Sequence, residues 1–588
     1  MAHPADTRTT APLAGFHVRT SGPPGPAQDL VTRHLRLLGA EGGAAGPGGR
    51  VTLTGARTGD VSAATSWGEA AGVADEATVQ AATGIMAVHG RRDGAPRGLA
   101  LDYVATATGI LAVQGLLAGQ LALARGGHVT RVEVSAQRAA LLAVSQYLAA
   151  AGAEDGEAVE LGPGGPPFRS AEGTDFELET LDPSSWAAFW RALGAPEEAI
   201  RRGWRPFQFR YATACAPFPP VLHDVTRASA WARVREAAHA SGAQVCPLRS
   251  QAEWTRERRE TAPWDLTGYD TDATYRRPVG APLALPLSGL TVLEAGRRIQ
   301  APLTAHLLGL LGADIVRVEP PGGDPLRGMP PCCSGISARW LALNRGKKAV
   351  EVDIKSAADR KRLRAMSAEA DVFVHNWAPG KAAELGLDHE HLAAVNPALV
   401  YAYTSGFADR VPDAPMGTDF MVQARTGVGE AVRSADEAPA PSLMTVLDVL
   451  GGLLGAEAIL AGLLLRERTG RGVRVDSSLL GAADVLTAPA RTRTARGLPT
   501  RRPAGFRRPL PTADGWIAPT DTCAAAAARH DLRTLPTGPA LELLRAHGLT
   551  ATAVTTDLAG LPHDARFAAS ITRDAHGAPA VPAPWSFT

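Results

Sequence analysis

The sequence predicts an α/β protein built from two homologous units in one 588-residue chain. Two observations carry this: a block of sequence written twice, and apolar strands that alternate with helical segments, the pattern of a parallel sheet covered by helices. Residues 116–135 read LLAGQLALARGGHVTRVEVS and residues 459–478 read ILAGLLLRERTGRGVRVDSS. Nine of the twenty positions are identical, among them Gly119/Gly462, Arg125/Arg468 and Ser135/Ser478. The echo extends upstream, where Val79-Gln80-Ala81 and Thr83-Gly84 match Val422-Gln423-Ala424 and Thr426-Gly427, so 79–135 lies on 422–478 without a gap. LAGFHV (13–18) likewise echoes LSGLTV (287–292), and LLGAE (37–41) echoes LLGAD (310–314). The first copy is therefore shorter within the region equivalent to about 320–415, and the second copy is the shorter one downstream. Residues 1–11 read as a flexible tail, 12–270 and 286–588 as the two units, and 271–285, polar and then Pro/Ala-rich, as a linker.

In the second unit the elements follow in order. LTVLEAG (290–296) is an apolar strand, 301–311 a helix, IVRVEP (315–320) a strand and KAVEVDI (348–354) an alternating strand. SAADRKRLRAMSAEA (356–370) is a helix with Ser356 as its N-cap; DVFVHNW (371–377) and LVYAYTSG (399–406) are strands around the helix HEHLAAVN (389–396). A long apolar helix follows Asp448, then the strand-to-helix junction RVDSSLL, and 505–588 reads as a smaller α+β part. In such a Rossmann-like sheet, ligands sit beyond the carboxyl ends of the strands.

Composition narrows the function. Sixty Lys+Arg against 59 Asp+Glu give no basic surplus for nucleic acid or an anionic membrane. Five cysteines without CxxC spacing fit a reducing, cytoplasmic setting and no structural zinc. The N-terminus has no apolar signal core, and the apolar run 446–465 carries Asp448 and Glu457, which suits a buried soluble helix better than a membrane span.

Few residues are placed for chemistry. Asp448 opens a Gly-rich apolar helix, where unpaired amides and the helix dipole favour an ionised carboxylate, and Gly451 and Gly452 would let a substrate approach it. The alternative is a plain N-cap aspartate. AsnArgGlyLysLys (344–348) and HisAsnTrpAlaProGly (375–380) flank strands and offer cations and an amide to a phosphorylated, adenine-bearing molecule; the alternative is an ordinary basic turn and strand-end loop. His389 and His391 face apart on a helix start and suggest no metal site, and ThrGlyArgGly (469–472) lacks P-loop spacing.

Taken together, LSGLTVLEAG, LLGADIVRVEPPGGDPLR, LNRGKKAVEVDI, DVFVHNWAPG, GLDHEHLAAVNPALVYAYTSGF, DFMVQARTG, LDVLGGLLGAEAILAGLLLRERTGRGVRVDSSLL and PTADGWIAP, running in order through 287–517, resemble the class III CoA-transferase family (CaiB/BaiF type). The first unit resembles it in part, through LAGFHV, VQAATG, LDYVATATGILAVQGLLAG and RGGHVTRVEVS. The resemblance implies a Rossmann-like domain plus a small domain in an interlocked dimer, here a tandem that serves as that dimer in one chain. It also implies Asp448 as the nucleophile, with aspartyl anhydride and aspartyl-CoA thioester intermediates, and CoA contacts near Arg317, Lys347, Lys348, Asn376 and Trp377. CoA and acyl-CoA are substrates, with no permanently bound cofactor and no metal. The partners it implies are an acyl-CoA and a carboxylate acceptor. Thr418 stands where the family's racemase branch has a histidine, which speaks against an acyl-CoA racemase or isomerase. The first copy lacks the AsnArgGlyLysLys and HisAsnTrp stretches, which keeps a non-catalytic CoA-binding protein as a further alternative. Without a gap Ala105 falls opposite Asp448; a three-residue shift would bring Asp102 there instead, and the sequence does not decide between them.

Overall fold

The computed structural model describes residues 11–42, 48–156, 161–270, 284–568 and 570–588. The first ten residues of the expected tail, and 271–283 of the expected linker, lie outside the described residues.

The second unit contains the sheet that its apolar runs predict. Strands Thr291–Ala295, Asp314–Glu319, Lys348–Glu351, Val372–His375, Val400–Ser405 and Val473–Ser478 pair in parallel. In space the third lies outermost, then the second, the first, the fourth, the fifth and the sixth. This is the Rossmann order, whose crevice opens between the first and fourth strands where the winding reverses. Helix Ala357–Ala368 starts as expected, with the Ser356 hydroxyl accepting from the Asp359 amide.

The first unit keeps part of this plan. Strand Phe16–Ser21 pairs in parallel with Glu41–Gly42, and Gly59–Ser66 pairs in parallel with Arg131–Ser135. Between them an antiparallel hairpin, Arg50–Gly55 with Gly59–Ser66, occupies the place of the missing strands and crossover helices. Each unit also has a small antiparallel sheet. In the first it is Phe168–Arg169, Asp175–Glu179 and Gln244–Pro247; in the second it is Leu510–Pro511, Trp516–Pro519 and Ala551–Ala553.

The units are joined by exchange. Strand Trp264–Gly268, from the end of the first unit, pairs antiparallel with Val473–Ser478 and becomes the seventh strand of the second sheet. Strand Trp585–Phe587, from the end of the chain, pairs antiparallel with Arg131–Ser135 in the first sheet. Sequence boundaries are therefore not sheet boundaries.

The repeated block explains itself in these contacts. The helices Tyr103–Ala124 and Val446–Thr469 are long and apolar enough to cross a membrane, but both are buried side by side in one core, where Gln114 Nε2 donates to the Leu453 carbonyl at 2.6 Å. A Cβ on Gly119 would come within 2.6 Å of Val61, and one on Gly462 within 2.9 Å of Val475, so each glycine lets its helix lie directly on its own sheet. The paired arginines act across the join. Arg125 donates to the carbonyls of Pro286 and Ser288 at 2.9 Å each, and Arg468 donates to those of Pro12 and Ala14. Each arginine thus holds the other unit's equivalent first turn.

Candidate functional site

Asp448 is the third residue of helix Val446–Thr469, not its N-cap. Thr445 holds that position with φ 52°, in the left-handed region, and contributes no side-chain cap. The amide of Asp448 donates instead to Asp419 Oδ2 at 2.7 Å, while Asp419 Oδ1 is held by Gln423 Nε2. This corrects two sequence expectations. First, the surroundings of Asp448 do not favour its ionised form: burial, then the neighbouring Asp419, push its carboxyl well above the usual carboxylate range, and the Arg298 guanidinium opposes them. Asp419 is itself pushed up to about 6 by burial. Secondly, Gly451 and Gly452 do not open space for a substrate. A Cβ on Gly451 would lie 2.8 Å from Leu479 and 2.9 Å from Gln300, and one on Gly452 would lie 2.9 Å from Leu303, so both glycines admit the packed helix Gln300–Leu310.

The Asp448 side chain lines two voids, and a third adjoins one of them. A cleft of about 1100 Å³ runs from it over the carboxyl ends of the strands, past Arg297, Arg298, Gln300, Asn376 and Trp377. Arg297 and Trp377 also line an adjoining cavity of about 360 Å³. On the other side, a pocket of about 70 Å³ separates Asp448 from the first unit, which supplies Glu179, Trp204, Gln208, Arg210 and Tyr211. Glu179 is fixed there by Arg210 at 3.0 Å and by the Thr418 hydroxyl, which donates to it at 2.8 Å. The site is thus a joint product of strand ends from one unit and a wall from the other.

The five expected CoA-contact residues divide. Asn376 and Trp377 line the cleft, and Asn376 ties its two rims together by accepting from the Arg297 amide at 2.9 Å and donating to the Arg297 carbonyl at 3.0 Å. Arg317 borders the smaller cavity but is buried and already answered by Glu294, Asp324 and Glu319. Lys347 is a correction: its ammonium is buried against Glu294 at 2.7 Å, the Pro302 carbonyl at 2.8 Å and Asn344 at 2.9 Å, and burial pushes it down to about 8. Lys348 is exposed, 3.3 Å from Asp314, and lines none of these voids. The cations that do face the cleft are Arg297, Arg298 and Lys381. Arg298 has φ 63°, lies over the Tyr211 ring at 5.6 Å and forms no ion pair among the described residues. A bulky residue in the left-handed region is uncommon and is kept there only where its surroundings over-determine it. Its signal was available as two arginines directly after an apolar strand. The first-unit wall left none, because its residues lie far from Asp448 in sequence.

The structure also settles the register left open in the first copy. Glu76 Oε2 accepts from the Ala105 amide at 2.8 Å and Gln80 Nε2 donates to Glu76 Oε1 at 2.8 Å, repeating the Asp419–Asp448 and Gln423–Asp419 bonds. Ala105 therefore stands at the place of Asp448. Asp102 is paired with Arg507 at 2.7 Å, and Arg507, buried, also binds Asp521 and the carbonyls of Leu99 and Leu101.

The sequence model of CoA-transferase family III matches residues 62–281 and 287–536. Among curated proteins, succinyl-CoA:glutarate CoA-transferase of Mus musculus is 34% identical over 200 residues, covering 34% of this chain and 46% of that protein. Succinate–glutarate CoA-transferase of Agrobacterium fabrum is 32% identical over 266 residues, covering 42% and 64%. Acetyl-CoA:oxalate CoA-transferase of Acetobacter aceti is 35% identical over 212 residues, covering 36% and 53%. The chain spans about half to just under two thirds of the length of these relatives. A crystal structure of a CAIB/BAIF family protein from Brucella suis, 28% identical, superposes with a TM-score of 0.46 over 50% of this chain and 91% of that one.

Proposed function

The chain belongs to CoA-transferase family III, and from that premise we propose that it moves CoA from an acyl-CoA donor to a carboxylic acid acceptor, with Asp448 as the nucleophile. The observation that carries this reading is the position of Asp448 at the meeting point of a long cleft and a small pocket. The cleft suits an extended thioester such as CoA, with Trp377 and Asn376 on its rim; the pocket suits the acyl group.

The steps are those of covalent catalysis by a carboxylate. An Asp448 oxygen attacks the thioester carbonyl, the C–S bond breaks, and a mixed anhydride and CoA thiolate result. The thiolate attacks the aspartyl carbonyl of the anhydride, releasing the donor acid and leaving an aspartyl-CoA thioester. The acceptor carboxylate attacks that thioester, giving a second anhydride and free thiolate, which then takes the acceptor's acyl carbon and restores Asp448. Every attack by Asp448 requires its ionised form. Arg298 favours that form against burial and Asp419, and it lines the same pocket as Asp448.

Two features support a short, acidic acyl group. The pocket behind Asp448 is about 70 Å³, and Arg298, unpaired among the described residues, stands at its mouth to receive a second carboxylate. The relatives named for glutarate and oxalate transfer point the same way. The exchanged strands and reciprocal arginines support an intramolecular dimer that needs no second chain to be active, in a cytoplasmic enzyme whose CoA is substrate rather than resident cofactor.

Trapping tests the reading. The intact chain, incubated with a panel of acyl-CoAs and then hydroxylamine, should carry a hydroxamate on Asp448 by peptide mass spectrometry, more with succinyl-CoA than with octanoyl-CoA. Acyl-CoA turnover without any modification of Asp448 would refute the nucleophile assignment.

A further inference from the structure

A second cavity, of about 410 Å³, opens where the small part of the first unit meets the second unit, and it shares no lining residue with the Asp448 cleft or its pocket. Arginines dominate its wall. Arg92 and Arg97 come from the first unit and Arg433 from the second.

The carboxylates nearby do not answer these cations. Arg433, 2% exposed, gives only Nη1 to Asp93, at 2.7 Å, and its Nε and Nη2 have no acceptor. Arg92 stands 3.9 Å from Asp93 and donates through Nη1 to the Pro441 carbonyl; burial, then Arg433, push its guanidinium down to about 10. Arg97 is 3.7 Å from Glu437, beyond hydrogen-bond range. Asp175, also on the wall, is taken by Arg169 in a two-pronged pair at 2.7 Å. Glu177, which faces Arg210 and Arg92, is pushed up to about 8 by burial, which weakens its claim on Arg92. The three arginines line this one cavity, and Arg92 and Arg433 approach the same carboxylate, Asp93; burial, then Arg433, Arg92 and Arg97, push the nearby buried His89 well below the usual imidazole range.

Three converging guanidiniums thus have two carboxylates between them, neither in a forked pair. A buried charge without a partner costs several kcal/mol, and a buried donor without an acceptor calls for an explanation. Guanidinium groups recognise phosphate and other oxyanions through just such free edges.

We propose that this cavity is a binding site for a dianionic oxyanion, such as the phosphate group of a small metabolite, held by Arg92, Arg97 and Arg433 at the junction of the two units. The site is separate from the proposed transfer chemistry and does not depend on it.

The test is calorimetric titration of the intact chain with inorganic phosphate, with potassium chloride at matched ionic strength as reference. Saturable binding of one phosphate is expected, with Arg92→Gln and Arg97→Gln each weakening it at least about tenfold and Lys361→Gln, at an exposed lysine of helix Ala357–Ala368, leaving it unchanged. Thermal unfolding reports whether each variant is folded; Arg97, the less buried of the two, keeps the test decisive where Arg92→Gln does not fold. Absence of saturable binding, an equal effect of chloride, or phosphate affinity that survives both arginine substitutions would overturn the proposal.

Discussion

The two units make the same local arrangement twice and use it differently. In the second, Asp419 accepts from the amide of Asp448, whose side chain faces a cleft of about 1100 Å³. In the first, Glu76 accepts from the amide of Ala105, and close by the buried Arg507 is locked between Asp102 and Asp521. What both copies retain are the residues of the embrace: the close-packing glycines, the arginines that hold the opposite first turn, and the strand each lends to the other's sheet. In a dimer of identical chains, every substitution falls on both sites at once. Fusion removes that constraint, so one copy is free to carry Ala105 where the other has Asp448 while still walling the other's pocket with Glu179, Arg210 and Tyr211.

The most severe way to probe this difference is to erase it. Asp448→Ala makes the second site resemble the first. Transfer should fall by at least about 10³-fold, while thermal unfolding stays close to that of the parent, since the Asp448 side chain caps nothing; turnover like the parent's would assign the chemistry elsewhere. Separating the units comes next. Residues 286–588 alone lack strand Trp264–Gly268 and the pocket wall, and expose the face of Val446–Thr469 that covers Tyr103–Ala124. That fragment should self-associate and show no transfer, and co-expression of 1–270 should restore both solubility and activity. A soluble, fully active 286–588 would make the first unit a mere appendage.

How much of this was legible in the sequence follows from the range of the interactions. The second sheet was readable because its strands are apolar or alternating runs between turns, and Asp448 because it sits in an ordered series of motifs. The exchanged strands were not: WDLTG and WSF are too short to show a period, and their partners lie over two hundred residues away. Lys347 and Arg317 were misread for a different reason. Their charges looked available until Glu294, written as the single acid in an otherwise apolar strand, proved to be buried between them. Arg298 forms no ion pair among the described residues and was passed over, although it lines the pocket beside Asp448.

Arg298 offers a finer probe of the active half. Burial and Asp419 raise the Asp448 pKa and Arg298 lowers it, so kcat/KM should rise with pH through a limb above the ordinary carboxylate range as the nucleophile ionises. Arg298→Met removes the opposing cation, so its limb should move to higher pH, with a loss at neutral pH of roughly tenfold that shrinks as pH rises. A limb that does not move would mean that Arg298 has no electrostatic hold on Asp448.

The central claim is that one chain holds one working site, completed by a copy that has lost its own. Calorimetric titration of the intact chain with CoA measures this directly. The account predicts a stoichiometry near one, with Trp377→Ala abolishing the measurable heat; two equivalent CoA sites per chain would contradict it.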